Sequence, residues 1–289
     1  MKIDKVIFGD NQFFGVDHLS EEKAKEKSDR FSDDKEIFKV LDSAHEVGIR
    51  TFMCTTYPRI KTICEYFKKH PSKFDDWKVY PCMPYAHKYA NALTEYGVLG
   101  TINLFTNANY LKSIYTNITA LLRQDATQAM KLLVDAELSF FKGVNTEAIF
   151  IQNVVTDLIL GLGMDEFIIE YVDYIEKKHK SKPGFITMNL PYTHDQLNRM
   201  GLHNQLICSS INKNGFRMAG TFNDNLKILE SEDNNIIAMQ ALGAGSLKPK
   251  EAFEFVCNKP GIKSILFGAS SHKHINENFN MINEISRGL

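Results

Sequence analysis

The sequence predicts an α/β fold in which parallel strands alternate with helices, and three observations support this prediction. Short apolar runs alternate with stretches of helical periodicity along the chain, which is typical of βα units around a parallel sheet. Eight such runs can be counted. The length of 289 residues and the hydrophobic content of 44% suit one large domain, since a (β/α)8 barrel needs about 250 residues. On periodicity alone, a closed barrel and an open doubly wound sheet are comparably well supported.

The predicted strands are apolar runs that end in turn residues. They cover residues 5–8, 49–53, 78–82, 148–151, 184–188, 206–210, 236–239 and 264–267. The first main helix is predicted to begin at Asp33-Asp34, a good N-cap, and to stop at Gly48, a residue type that often ends helices. Residues 97–122 exceed what one crossover helix needs, so we expect an insertion there within a single domain spanning residues 1–289.

Composition excludes several classes of function. A formal net charge of −1 gives no field that favours nucleic acid or an anionic membrane. The five cysteines have no C-x-x-C spacing, and no His, Asp and Glu cluster has ligand-like spacing, so we expect neither a disulfide framework nor a metal site. No apolar run is long enough for a signal sequence or a membrane span. We therefore expect a cytoplasmic protein that binds a small molecule.

Candidate functional residues follow the ends of the predicted strands, because ligands of parallel α/β folds bind there. The first strand is followed by Asp10, Asn11 and Gln12, which either form a turn or contact a small polar substrate. The second strand leads to Tyr57. The third leads to Tyr85, His87 and Lys88, which either transfer protons or begin the next helix facing solvent. Our candidate catalytic residues are Tyr57, His87, Lys88 and Asp10, and our candidate substrate-binding residues are Asn11, Gln12 and Tyr85.

The last two predicted loops carry the strongest signal for a ligand. Gly243 and Gly245 allow the backbone to approach a ligand closely, and Gly268 is followed by Ala269-Ser270-Ser271 at a helix start. Free N–H groups and two hydroxyls at that start suit a phosphate. The alternative is that a serine simply caps the helix. Amides that end the fourth and fifth strands, Gln152 and Asn189, indicate a neutral hydrogen-bonding pocket.

Several of these segments together resemble the aldo/keto reductase family. The resemblance lies in Ile7-Phe8-Gly9, in residues 43–52, in residues 184–189, in residues 236–247 and in the ending from Gly268 to Glu277-Asn278. It implies a (β/α)8 barrel that reduces carbonyl compounds with a hydride from NADPH. It also implies cofactor contacts at Gln152, Asn189, Gln240, Gly243, Gly245, Gly268, Ser270, Ser271 and Asn278.

The chain departs from the family at the positions that would carry the chemistry. The family's Asp, Lys and His correspond to Met53, to Cys82 or Met83, and to Gln152. Its Tyr falls at Pro58 by strict spacing, and Tyr57 is one residue away. An Arg that often binds the cofactor's 2′-phosphate corresponds to Ser270. A phenol without the neighbouring Lys and Asp titrates near about 10 and is a poor proton donor at neutral pH.

The sequence therefore predicts a divergent, NAD(P)-linked oxidoreductase of this barrel type. Its expected substrate is a small polar carbonyl or sugar-type compound, and its cofactor is NADP, NAD or none. Two alternatives stay open. One is a cofactor-independent lyase or isomerase that acts on a phosphorylated small molecule, and the other is a non-catalytic binding protein.

Overall fold

Eight parallel strands close into a barrel in the computed structural model, which describes residues 3–15, 21–84 and 126–288. Each strand pairs with the next in sequence, and the last pairs with the first, where Val6 lies opposite Ile265. The strands are β1 (Val6–Phe8), β2 (Thr51–Thr55), β3 (Lys78–Met83), β4 (Ala148–Ile151), β5 (Lys182–Thr187), β6 (Leu206–Ser210), β7 (Asn235–Met239) and β8 (Ile262–Phe267). The predicted barrel is confirmed, and the open sheet is excluded.

Helices surround the barrel and connect its strands. Those in the described ranges are α1 (Glu21–Arg30), α2 (Asp34–Glu46), α3 (Ile60–Lys69), α4 (Pro71–Phe74), α5 (Ala126–Leu138), α6 (Asn153–Gly161), α7 (Asp165–Tyr174), α8 (Leu190–Arg199), α9 (Phe222–Leu229), α10 (Pro249–Cys257) and α11 (His272–Arg287). Within these ranges no helix is long and apolar enough to cross a membrane. The predicted insertion at residues 97–122 lies outside the described residues.

Helix α2 shows how local sequence sets an element. The side chain of Asp33 accepts a hydrogen bond from the Lys35 N–H over 2.9 Å, which satisfies one of the donors left open at a helix start. The buried residues of α2 recur at helical spacing: Ile37, Val40, Leu41 and Ala44. Gly48 follows the helix with a φ of 107°, a conformation that L side chains rarely adopt. The predicted start and stop of this helix are confirmed.

Apolar side chains form two packed layers, one inside the barrel and one between the barrel and its helices. The inner layer consists of Ile7, Met53, Tyr80, Cys82, Ala148, Phe150, Leu206, Cys208 and Ile237. Successive residues of a strand face opposite sides, so each strand contributes to both layers. A Cβ on Gly184 would lie 2.3 Å from the Phe150 ring, so the glycine provides the space that this ring occupies. The inner layer fills the barrel and leaves its carboxyl-terminal mouth for a ligand.

Candidate functional site

A cavity of about 620 Å³ opens where the strands end at the carboxyl-terminal mouth of the barrel. Its wall includes residues from the ends of the strands, among them Gly9, Asp10, Thr55, Cys82, Gln152, Met188, Cys208, Gln240 and Gly268. This is the end of a (β/α)8 barrel where active sites occur. The volume suits a small molecule or part of a cofactor.

Asp10 is the buried carboxylic acid of this cavity. It follows β1 and is 6% exposed, and its Oδ2 accepts a hydrogen bond from the Thr55 backbone N–H over 2.8 Å. Burial raises the pKa of the Asp10 carboxyl to about 7, because desolvation disfavours the charged form more than the backbone hydrogen bonds favour it. A carboxyl that titrates near neutral pH can both donate and accept a proton under physiological conditions.

Thr55 connects Asp10 to the amide of Gln152. The Gln152 Nε2 group donates to the Thr55 Oγ1 atom over 3.2 Å, while the Thr55 N–H donates to Asp10. Strands β1, β2 and β4 are joined by this short chain of polar contacts. Both Gln152 and Asp10 line the cavity, so the amide and the acid are available to the same ligand.

Tyr57 and Asn11 also line the cavity, as the strand-end argument predicts. The Tyr57 ring stacks on Phe14, with ring centroids 4.3 Å apart and planes at 25°. This stacking fixes the phenol at the rim, on the same side of the barrel as Asp10.

Gln12 has a different environment from the one predicted. Its side chain is buried behind the cavity wall, where Nε2 donates to the Gly9 carbonyl over 2.8 Å. Its Oε1 has no hydrogen-bond partner in the described part of the chain, and a Cβ on Gly268 would lie 2.1 Å from it. Gln12 therefore packs under the loop that follows β8, and the residues after β1 that line the cavity are Gly9, Asp10 and Asn11.

The three candidates that follow the third strand, Tyr85, His87 and Lys88, lie outside the described residues. The described end of β3 contributes Cys82 to the cavity. Burial, together with the nearby charge of Asp10, raises the pKa of the Cys82 thiol well above its usual value. A neutral thiol is a poor nucleophile, so Cys82 acts as an apolar wall group.

The lining of the cavity is rich in sulfur. Met53, Cys82, Met188, Cys208 and Met239 all line it. Burial also raises the pKa of the Cys208 thiol, so both cysteines are uncharged. Such soft, apolar side chains adapt to the shape of a ligand and leave hydrogen bonding to the polar rim.

The two loops predicted to bind phosphate, which follow β7 and β8, lie at this mouth. Gly245 lines the cavity with a φ of 92°, and no atom lies within 4 Å of the position that a Cβ would take. Gly268 is exposed and also lines the cavity. Gln240 is held by Ser210, whose Oγ donates to Oε1 over 2.7 Å. These three residues present backbone and amide groups to a ligand.

Two other predicted cofactor residues, Ser271 and Asn189, cap helices with their side chains. The Ser271 Oγ accepts a hydrogen bond from the His274 N–H over 3.3 Å and caps α11. Asn189 caps α8, because its Oδ1 accepts from the Tyr192 N–H over 3.4 Å, and it does not line the cavity. Asn278 lies half-buried on α11. The Ser270 carbonyl accepts a hydrogen bond from the Arg30 guanidinium over 2.5 Å, which brings a positive charge to this loop.

The sequence did not predict two cationic residues of the cavity wall. They are Lys27, from α1, and Arg217, from the loop between β6 and α9. The sequence shows both only as charges among other surface charges. The backbone of Arg217 is left-handed, with a φ of 55°. Two other cavity residues, Gln240 at 56° and Ala244 at 57°, share this conformation. Such strained residues cluster at binding and catalytic sites.

The comparisons with known proteins agree on the barrel. No protein-family model matches the sequence, and no curated protein matches it. The structure is similar to that of a protein from Pseudomonas aeruginosa described as an aldo-keto reductase, with a TM-score of 0.64 at 13% identity over 98% of this chain and 91% of that one. A structure described as a 2,5-diketo-D-gluconic acid reductase B gives a TM-score of 0.54 at 10% identity, over 99% and 87%.

A third similar structure is an aldo-keto reductase solved in complex with NADPH. Its TM-score is 0.53 at 10% identity, over 99% of this chain and 84% of that one. The chain therefore has the (β/α)8 barrel fold found in aldo/keto reductases, and the resemblance drawn from the sequence is confirmed at the level of the fold.

Proposed function

We propose that the protein is an NAD(P)-linked oxidoreductase that acts on a small polar carbonyl or sugar-type compound in the cavity. The observation that carries this proposal is Asp10, a buried carboxyl with a pKa of about 7 in the wall of a cavity at the barrel mouth. Similarity to barrels of aldo/keto reductases, one of them complexed with NADPH, supports the choice of cofactor.

Reduction of a carbonyl needs a hydride at carbon and a proton at oxygen, and the nicotinamide supplies the hydride when it is bound. Near neutral pH much of Asp10 carries its proton, and the carboxyl O–H donates that proton to the carbonyl oxygen as the alcohol forms. In the reverse direction the Asp10 carboxylate accepts the proton of the alcohol. Tyr57 lines the same cavity, and we propose that it donates a hydrogen bond to the same oxygen; His87 and Lys88 are the other candidates for this role.

Asp10 thereby takes over a task that the family's Tyr, with its Lys and Asp, would perform. The positions that the sequence matches to that Asp and Lys hold Met53 and Cys82 or Met83, and Met53 and Cys82 line the cavity. Neither can lower the pKa of a phenol, since one is a thioether and the other a neutral thiol. A carboxyl from β1, tuned by burial, supplies proton transfer without them.

The mouth also fits the cofactor. The Gln152 and Gln240 amides can hold a carboxamide, and Gly245 and Gly268 leave room for a pyrophosphate against the backbone, whereas Gly243 is buried and shapes the loop. The open space beside Gly245 is the observation that supports this fit. Ser270 and Ser271 at the start of α11 suit a further phosphate, since a helix N-terminus attracts anions. We propose that Asn278 contacts the adenine end of the cofactor. Asn189 contributes indirectly, by capping α8.

Titration of NADPH and NADH, followed by nicotinamide fluorescence, tests the cofactor site. Ser271→Asp adds a negative charge, and Ser271→Asn is its neutral match, because both residues cap helices well. We expect the Asp variant to weaken cofactor binding about tenfold or more through charge repulsion at the helix start, and the Asn variant to bind almost normally. Absence of binding to the wild type, or equal binding by both variants, contradicts the proposal.

The rival enzyme class is a lyase or isomerase that needs no cofactor. It is favoured by the same loss of the family's Asp and Lys positions, and it would use the Asp10 carboxylate to remove a proton next to a carbonyl. Turnover of a phosphorylated sugar in the absence of any nicotinamide, abolished in Asp10→Asn, would establish this alternative instead.

A further inference from the structure

We infer that Gln12 is a positioning residue for Asp10: its amide holds the peptide bond between Gly9 and Asp10, and residue 268 is a glycine so that this amide can lie there. The inference rests on the proposed function in one respect, since Asp10 is the acid proposed to transfer the proton. It adds a residue that orients this acid without lining the cavity itself.

The peptide group between Gly9 and Asp10 is held at both of its ends. Its carbonyl, that of Gly9, accepts a hydrogen bond from the Gln12 Nε2 group over 2.8 Å. Its N–H, that of Asp10, donates to the carboxyl of the same residue, and this contact lowers the pKa of the carboxyl. Because a peptide group is planar, a fixed C=O also fixes the direction of the N–H. Gln12 therefore acts on the Asp10 carboxyl through one rigid group.

The residue that carries this carbonyl is a glycine, whose backbone turns more freely than that of other residues. The chain is anchored on each side of the peptide. The Gly9 N–H donates to the Phe267 carbonyl over 2.9 Å, and the Asp10 carbonyl accepts from the Phe13 N–H over 2.8 Å. The contact from Gln12 lies between these two anchors, so it restrains the one peptide group that they do not hold directly.

Gly268 provides the space for the Gln12 amide. A Cβ at residue 268 would lie 2.1 Å from Oε1 and 3.0 Å from Cδ of Gln12. The φ of Gly268 is outside the left-handed range, so its backbone conformation does not require a glycine. The space that the amide occupies explains this glycine, and it joins the loop after β8 to the residues around Asp10.

Stability does not explain why an amide lies at this position. Gln12 is 4% exposed, and its Oε1 has no hydrogen-bond partner in the described part of the chain. A buried acceptor without a partner lowers stability and offsets the gain from the bond that Nε2 makes. A methionine, which has a similar length, would fill the space without this cost. Polar groups that stability does not favour are expected at functional sites.

The other groups around Asp10 stay the same when Gln12 is changed. The thiols of Cys54 and Cys82 lie close enough to Asp10 for its charge to raise their pKa values. The further titratable or charged side chains of the cavity wall, within the described ranges, are Lys27, Tyr57 and Arg217. A changed pKa of Asp10 in a Gln12 variant therefore reports on the peptide that Gln12 holds.

Carbon-13 NMR of protein labelled at the aspartate carboxyls measures the pKa of Asp10, and Asp10→Asn identifies its signal. Gln12→Met keeps Asp10 buried but removes the donor to Gly9, so the peptide can turn its N–H away from the carboxyl. We expect the pKa of Asp10 to rise by about 0.5–1 unit, which is the worth of one hydrogen bond to the charged form. The midpoint of the pH profile of kcat/KM should move equally, with KM little changed.

A second variant reaches the same contact from the other side. Gly268→Ala leaves Gln12 in the sequence, but its Cβ displaces the amide, so the pKa of Asp10 should rise here as well. Gln196→Met is the matched control, because Gln196 lies half-buried on α8 and does not line the cavity. This control should keep the wild-type pKa of Asp10.

The inference is wrong if Gln12→Met folds and the pKa of Asp10 is unchanged or lowered. A lower Tm with an unchanged pKa would show that Gln12 only supports the structure. If Gln12→Met does not fold, Gly268→Ala decides by the same criterion. The NMR titration needs neither cofactor nor substrate. If no nicotinamide binds, the proposed oxidoreductase function fails, while a raised pKa of Asp10 in the variants still supports the role of Gln12.

Discussion

The Thr55 backbone N–H donates a hydrogen bond to the Asp10 carboxylate over 2.8 Å, and this contact joins the end of β1 to the end of β2. It holds a buried acid against the wall of the cavity while leaving the carboxyl among the lining groups. The acid is buried enough that its pKa rises to about 7 despite this hydrogen bond. Much of the proposed chemistry depends on that balance between burial, which raises the pKa of Asp10, and backbone donors, which lower it.

The buried Asp10 should make stability depend on pH. Its folded pKa of about 7 exceeds the unfolded value of 3.8, so the folded state binds more protons between these values. The contribution of Asp10 to the free energy of unfolding is therefore fully present below about pH 4 and is lost as the pH rises through about 7. Asp10→Asn keeps a neutral side chain at all pH values, so it should be more stable than the wild type above pH 7, by up to a few kcal/mol.

Thermal unfolding of both proteins near pH 5 and near pH 8.5 measures this difference. The gap in Tm between Asp10→Asn and the wild type should widen toward alkaline pH, and Asp75→Asn, at an exposed position, serves as the control. A gap that stays constant with pH would show that Asp10 is not a buried acid with a raised pKa.

Packing inside the barrel leads to a second prediction. Gly184→Ala would place a Cβ 2.3 Å from the Phe150 ring, a distance that real Cβ atoms do not show, so the ring or the strand must move. Overpacking of this kind costs about 1–3 kcal/mol. Gly161→Ala is the matched control, because no atom lies within 4 Å of its Cβ position and an alanine suits the end of α6. Urea unfolding of the two variants should show a lower midpoint for the first alone.

The sequence predicted the architecture because each strand is a distinct apolar run with turn residues after it. Strand β5 is a partial exception: it begins at Lys182, two residues earlier than predicted, and includes Pro183. A proline near the start of a strand is tolerated because it leaves few ladder hydrogen bonds unmade. The sequence predicts an exposed loop or a short helix for the charged segment at residues 20–32, and helix α1 forms there.

The sequence predicted part of the site. The rest depends on the path of the chain in space and on local hydrogen bonding. Residues directly after strands, such as Asp10, Tyr57 and Gln152, line the cavity because parallel strands all end at one mouth. Lys27 and Arg217 are brought there by a helix and a long loop, whose paths a linear pattern does not show. The side chains of Asn189 and Ser271 form helix caps, and the sequence alone did not distinguish a cap from a ligand contact.

Arg30 leads to a third prediction, about the choice between NADPH and NADH. Its guanidinium contacts the carbonyl of Ser270, the residue that the sequence resemblance matches to an arginine that often binds the 2′-phosphate in aldo/keto reductases. If the cofactor lies as proposed, Arg30 supplies that charge from α1. Arg30→Gln should then weaken NADPH about tenfold and change NADH little.

Fluorescence titration with NADPH and NADH gives the ratio of the two dissociation constants directly. Arg287→Gln, an exposed arginine in the last turn of α11 far along the helix from Ser270, is the matched control. Equal losses for NADH and NADPH in Arg30→Gln would mean that Arg30 contacts the pyrophosphate or only supports the loop.

The most direct test of the account is the pH dependence of kcat/KM in both reaction directions, measured for the wild type and for Asp10→Asn with a carbonyl substrate found by screening. A proton donor with a pKa of about 7 predicts that reduction is constant at acid pH and falls about tenfold per pH unit above 7. Alcohol oxidation should show the opposite trend, and Asp10→Asn should lose about a hundredfold or more in both directions. If the wild-type profiles are flat across pH 7 and Asp10→Asn keeps full activity, Asp10 does not transfer the proton and the proposed mechanism is wrong.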